Sequence, residues 1–150
     1  MTPLILIVYV LALAFVFAKL EIHVEGAGGW AADLPTWRIE EHPLLTLFWG
    51  GRPMTGYHAW TFTFLFLMFH FPPVLKGTWS WQLEARIAAC LILFWICEDF
   101  LWFVLNPAYT LRGFNARRAK WHKHWFLGCP VEYWIFGGPA VFLLWVSYQS

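Results

Sequence analysis

Charge is what this chain has least of. Lys, Arg, Asp and Glu together make up 13% of its 150 residues, against 60% for hydrophobic ones. A soluble domain carries about 25% charged and ~45–50% apolar residues. So few polar groups cannot cover a surface in water, so the composition places the chain in lipid, as a single membrane domain over residues 1–150. Basic residues are also sparse. The ten Lys and Arg leave a formal net charge of +1 and form no extended tract, which argues against a nucleic-acid partner. Cysteine is scarce: Cys90, Cys97 and Cys129 form no CxxC or zinc-finger spacing, so a disulfide framework is not expected. The N-terminus lacks the Lys or Arg of a signal peptide, and the apolar run Met1–Ala18 reads as a retained first span. Also absent are the HxxxH and HxxHH boxes of membrane desaturases, the HExxH of zinc proteases and the DxxxD-type run that binds prenyl diphosphate.

What the chain has is long apolar runs. They fall at about residues 4–20, 57–75, 85–105 and 133–148. At ~1.5 Å per residue they are helical in length, and they lack the alternation of a membrane barrel. The expected fold is an all-α integral membrane protein, a four-transmembrane-helix bundle. Short interfacial helices are expected in its two long loops: one opened by Pro43 and running through Leu44 to Trp49, one capped by Asn115 and running from Arg117 to Phe126. Trp30, Leu34 and Trp37 add a helical spacing, weakened by Pro35. Lys and Arg concentrate in the long loops, so the positive-inside rule puts those loops in the cytoplasm and both termini on the opposite side of an inner or plasma membrane. Eight of the twelve tryptophans, Trp49 among them, lie near expected boundaries; Trp95 and Trp102 do not.

On this topology every acidic residue except Glu84, and every histidine except His70, falls at or just inside one membrane face. Lipid penalises misplaced polar groups, so a one-sided collection points to a site. The sharpest signal is the run Trp95 to Trp102, with Glu98 and Asp99 about 10 Å inside the third span by helical rise. Neighbours on a helix diverge by ~100°, so the two carboxyls flank one Trp95–Trp102 column. Either a structural ion pair or a functional pair satisfies this pattern.

The candidate metal ligands are His23, His58, Asp99, His122 and His124, with Glu98 and Asp99 as candidate catalytic groups. Glu21, Glu25, Trp95, Trp102 and Glu132 are candidates to support them from behind. The H-x-H pair His122 and His124 shares a face if extended, whereas on a helix only one ring enters a site. If the first helix continues through Glu25, Glu21 and Glu25 share a face and His23 points away.

Three functions fit. The first is a membrane-embedded metalloenzyme using iron or zinc on a lipid-phase acyl or isoprenoid substrate, oxidative like a desaturase or hydroxylase, or hydrolytic. The second is a metal-free isomerase or cyclase of an isoprenoid or sterol. There a protonated Glu98 or Asp99 donates its proton to a double bond, Trp95 and Trp102 stabilise the cation, and a histidine accepts a proton from it. The third is a non-enzymatic accessory subunit, or a pigment or haem binder, of a larger membrane complex. The expected partners are membrane lipid, a hydrophobic small molecule, and another membrane protein or a second copy of the chain.

Overall fold

The computed structural model describes residues 2–48 and 51–149. In chain order the elements are α1 (Pro3–Glu25), β1 (Arg38–Ile39), α2 (Pro43–Phe48), β2 (Met54–Thr55), α3 (Gly56–Phe69), α4 (Phe71–Lys76), α5 (Trp81–Leu105), α6 (Thr110–Gly113), β3 (Trp125–Phe126), β4 (Cys129–Pro130) and α7 (Val131–Val146). The molecule is mostly helical.

α1 begins where Thr2 caps it and Pro3 fills a first-turn position that needs no donor. No glycine or proline follows until Gly26, whose φ of 63° ends the helix. Ser80 caps α5 through the Leu83 amide at 3.2 Å, and Asn106 closes it. α1 and α5, of 23 and 25 residues, are each long and apolar enough to cross a membrane. The other expected spans correspond to shorter helices. α3 has 14 residues, passes through His70 into the Pro72-Pro73 turn of α4, and α7 has 16. Gly137-Gly138-Pro139 does not interrupt α7.

α5 is the centre of the bundle, packed chiefly against α1 and α7. The buried stripe of α1 repeats every three or four residues: Leu6, Val10, Ala14, Ala18, then Glu21, Ile22 and Glu25. The facing stripe of α5 runs Cys90, Phe94, Glu98, Trp102. Apolar packing at one end therefore passes without a change of face into carboxyls at the other. The outward faces are apolar: Leu4, Val8, Phe15 and Val16 on α1, Phe64 and Leu67 on α3, and Val141 and Phe142 on α7 are all exposed. So large an apolar exterior is foreign to a water-facing surface.

Two loop expectations are corrected, and a third is met as far as the described residues reach. No helix forms over Trp30–Trp37. Instead Gly29, Trp30 and Ala31 take left-handed φ values of 63°, 49° and 51°, and the chain turns inward before pairing Arg38 with Thr55 in an antiparallel β1–β2 ladder. The helix opened by Pro43 is present over Pro43–Phe48, and Trp49 lies outside the described residues. The helix expected over Arg117–Phe126 is a turn and a hairpin. The Asn115 carboxamide oxygen accepts from the Arg117 amide at 3.0 Å and from Arg118 at 3.3 Å, an Asx turn that competes with helix. β3 then pairs with β4 across Leu127 and Gly128, both at positive φ (48° and 79°), the geometry of a tight hairpin turn. Burial of His122 and Ala119 outweighs the amphipathic alternative. The two short ladders also qualify the all-α expectation.

Candidate functional site

At the carboxyl-bearing end of the α1–α5 interface lies a cavity of ≈ 220 Å³. Its wall carries Glu21 and Glu25 from α1, His58 and Phe62 from α3, Ile92, Trp95, Ile96, Glu98, Asp99 and Trp102 from α5, and Glu132, Tyr133 and Phe136 from α7. The loops add Trp30, Arg52 and Trp121.

Glu98 is buried on the α5 side of this cavity. It is 3% exposed, and it lines the same space as Glu21. Carboxyls crowded together away from water repel one another when ionised. The Glu98 Oε1 is buried and has no hydrogen-bond partner among the described residues. On the other side of Glu21, the Tyr57 hydroxyl donates to Glu21 Oε1 at 3.0 Å.

Two carboxylate–histidine pairs flank this centre. Asp99 Oδ2 lies 3.1 Å from His122 Nε2 and also accepts from the Tyr133 hydroxyl. His122 is buried, and its Nδ1 has no partner among the described residues. His58 Nδ1 lies 2.7 Å from the Thr55 hydroxyl, which also caps α3 through the His58 amide at 3.2 Å. His58 Nε2 then faces Glu25 Oε1 at 3.6 Å. Glu25 Oε1 accepts the Ala31 amide at 2.6 Å, which ties it to the left-handed turn. That turn is strained for non-glycine residues, and Arg38 holds it by donating to the carbonyls of Trp30 and Ala31.

Aromatic rings close the walls. Trp30 stacks on His58 with centroids 4.0 Å apart, and its indole N–H donates to the Pro53 carbonyl at 2.8 Å. Trp102 packs edge-on against Trp121 at 5.9 Å. A glycine is required at residue 29 because a Cβ there would stand 2.7 Å from the Trp121 ring and 3.1 Å from that of Trp102. Arg52 lies over the Trp30 ring at 4.9 Å and 3.9 Å from Glu132 Oε1. Outside the helices, burial pushes the Tyr109 phenol above its ordinary range; its hydroxyl donates to the Ala27 carbonyl at 3.2 Å. Next to it Asn106 donates to the Gly26 carbonyl at 2.9 Å, so the ends of α1 and α5 are clasped together.

Of the residues singled out from sequence, Glu21, Glu25, His58, Trp95, Glu98, Asp99, Trp102 and Glu132 line the cavity, and His122 joins it through Asp99. His23 is exposed, its Nδ1 2.6 Å from the Lys19 carbonyl, because α1 stays helical through Glu25 and turns it away from the shared face. His124 is exposed as well, so the H-x-H pair sends only one ring inward. Among the described residues, no three His, Cys, Asp or Glu side chains come together as a set that could hold a metal ion. Sequence reasoning did not place Thr55, Tyr57, Tyr133, Trp30 or Trp121 in the site. Tyr57 and Tyr133 adjoin candidates already named, and that adjacency is the only signal the sequence offers for them.

Compared with protein-family models, curated proteins and solved structures, the chain has no match.

Proposed function

We propose that the chain is a membrane-embedded proton-transfer enzyme, an isomerase or cyclase of an unsaturated isoprenoid or sterol-class lipid. One observation carries this reading: a buried glutamic acid, Glu98, lining a tryptophan-walled cavity together with a second, Glu21. An acid kept out of water in an apolar site is the kind of group that can protonate a carbon–carbon double bond. The proton of Glu98 forms a new C–H bond at one olefinic carbon, and positive charge develops at the other. The π-faces of Trp95, Trp102, Trp30 and Trp121 stabilise that cation. A C–H bond next to the cation then breaks. Its electron pair restores a double bond, or a ring closes first, and its proton passes to His58 Nε2. The Thr55 contact suits a His58 that is protonated at Nδ1 and free to accept at Nε2, with Glu25 placed to stabilise the imidazolium. Proton return to Glu98 runs through Glu21. Electrons balance without a cofactor.

The same reading makes the chain an integral protein of the inner or plasma membrane. α1 and α5 cross outright, and α3–α4 and α7 complete the four-span bundle around α5. The long loops lie in the cytoplasm and both termini on the other side. A substrate reaches the cavity from the lipid phase.

The test is turnover in D₂O with squalene, geranylgeraniol and cholesterol as probes of linear, prenyl and sterol substrates. Mass spectrometry should find one deuterium per molecule of rearranged product with at least one probe, and Glu98→Gln should reduce it about 100-fold or more. Rearrangement that carries no solvent deuterium would sink the reading.

A second reading is metal-dependent chemistry with iron or zinc on an acyl or isoprenoid lipid. It is favoured by buried atoms without hydrogen-bond partners among the described residues, His122 Nδ1 and both carboxylate oxygens of Glu132, the latter within 3.9 Å of Arg52. Stoichiometric iron or zinc in purified protein, lost in His122→Ala, would support it over the first. An accessory-subunit role predicts instead that Glu98→Gln is silent while one large partner co-purifies.

A further inference from the structure

The cavity is a mismatch of charge as well as a shape. Five carboxyls line it, and Arg52 is the cationic side chain among its lining residues. Four tryptophans line the same space. Carboxyls crowded in a low-dielectric site resist ionising together, and each repels the next. A positive charge placed among them relieves that repulsion and also gains from the ring faces. The fold already shows one cation taken in this way: the Arg52 guanidinium lies over Trp30 with Glu132 Oε1 at 3.9 Å. The part around Glu98 keeps an acceptor without a hydrogen-bond partner. Glu98 Oε1 is buried and unmatched among the described residues, on a side chain 3% exposed.

We infer that this cavity binds lipophilic amines, the ammonium group lying between the Glu21–Glu98 pair and the tryptophan faces, and the apolar tail leaving along Ile92, Ile96 and Phe136. The size suits a head group and not a whole lipid. Pockets that enclose a drug-sized ligand run to ~300–1,000 Å³, and this one is ≈ 220 Å³. The tail therefore has to continue outward, and the residues on that side are apolar. The inference rests on the same cavity as the proposed reaction, and the ammonium stands where the carbocation of that reaction would form. It draws on the charge of the wall and not on turnover.

The experiment compares two ligands with the same geranyl tail in zwitterionic lipid nanodiscs. N,N-dimethylgeranylamine carries the charge and geraniol does not. Binding is followed by tryptophan fluorescence, with protein-free nanodiscs subtracted. The intact chain should bind the amine roughly 10- to 100-fold more tightly than the alcohol. Glu98→Gln, which keeps size and hydrogen-bonding capacity, should bring the two affinities together, and Glu21→Gln should do so in part. Equal affinity of the intact chain for both ligands overturns the inference and needs no variant to show it. A preference for the amine that persists in both variants also overturns it, because the charge is then being read elsewhere. Amine binding without deuterium incorporation leaves the cation site standing and removes the reaction; deuterium incorporation without amine preference does the reverse.

Discussion

The two ends of the bundle use similar residue types to different effect. At the far end His70 Nε2 meets Glu84 Oε1 at 3.0 Å, and the Trp79 indole donates to Glu84 Oε2 at 2.9 Å. Both members of that pair are partly open to solvent, with side-chain exposures of 20% and 33%. At the cavity end His122 meets Asp99 at 3.1 Å with no exposure of the imidazole and 21% of the carboxylate side chain open, and His58 faces Glu25 at 3.6 Å with both side chains almost fully buried. The histidines differ most: His70 is partly open, and His58 and His122 are enclosed. An exposed ion pair is a minor fastening, worth ~0–1 kcal/mol. A buried one is costly to assemble and to break, and it persists where the surrounding structure supports it. The acid–imidazole pairs of the cavity therefore call for an explanation that the far-end pair does not.

That contrast can be broken in graded steps. The largest expected effect is Asp99→Asn. It leaves His122 and Tyr133 facing a neutral amide in place of a carboxylate, with a loss of about 1.5–3 kcal/mol in stability, measured by thermal unfolding in detergent. A drop no larger than that of Glu84→Gln would erase the distinction between the two ends. Next comes Asn106→Ala, which strands the Gly26 carbonyl and the Ala108 amide that the carboxamide now serves. A loss of ~1–3 kcal/mol is expected, with faster hydrogen exchange at the end of α1. Gly29→Ala should sit in the same range, because its new methyl group presses on Trp121 and Trp102 and the residue keeps a positive φ. Glu84→Gln should cost no more than about 1 kcal/mol. The smallest effects belong to His23→Ala and His124→Ala, at ~0.5 kcal/mol or less with amine binding unchanged. A marked loss of binding in either would place those surface histidines in the site after all.

The sequence made the helices legible because hydrophobic runs are long and their stops are chemical: Thr2 and Ser80 open helices, Gly26 and Asn106 close them. It also made the acidic stripe legible, since Glu21 and Glu25 lie four residues apart and Glu98 lies four before Trp102. It left open the rotation of each helix. Whether Asp99 faced His122, or Glu98 faced Glu21, depends on how α1 and α5 turn toward one another, and no local pattern fixes that. The loops were least legible. Two non-glycine residues at left-handed φ and an Asx turn over Asn115 are settled by tertiary contacts to Glu25, Arg38 and Trp121, which helical spacing does not register.

Beneath the acidic pair, the first helix presents Ala14 and Ala18 to the bundle, both with no exposed surface. Small side chains at a helix interface let backbones approach closely, and interaxial spacing follows the residues between them. Those two methyl groups act as a gauge block for the carboxyls one turn above, bearing on how near Glu21 comes to Glu98. A valine at residue 18 would wedge α1 away from α5 and widen the seam at its carboxyl-bearing end.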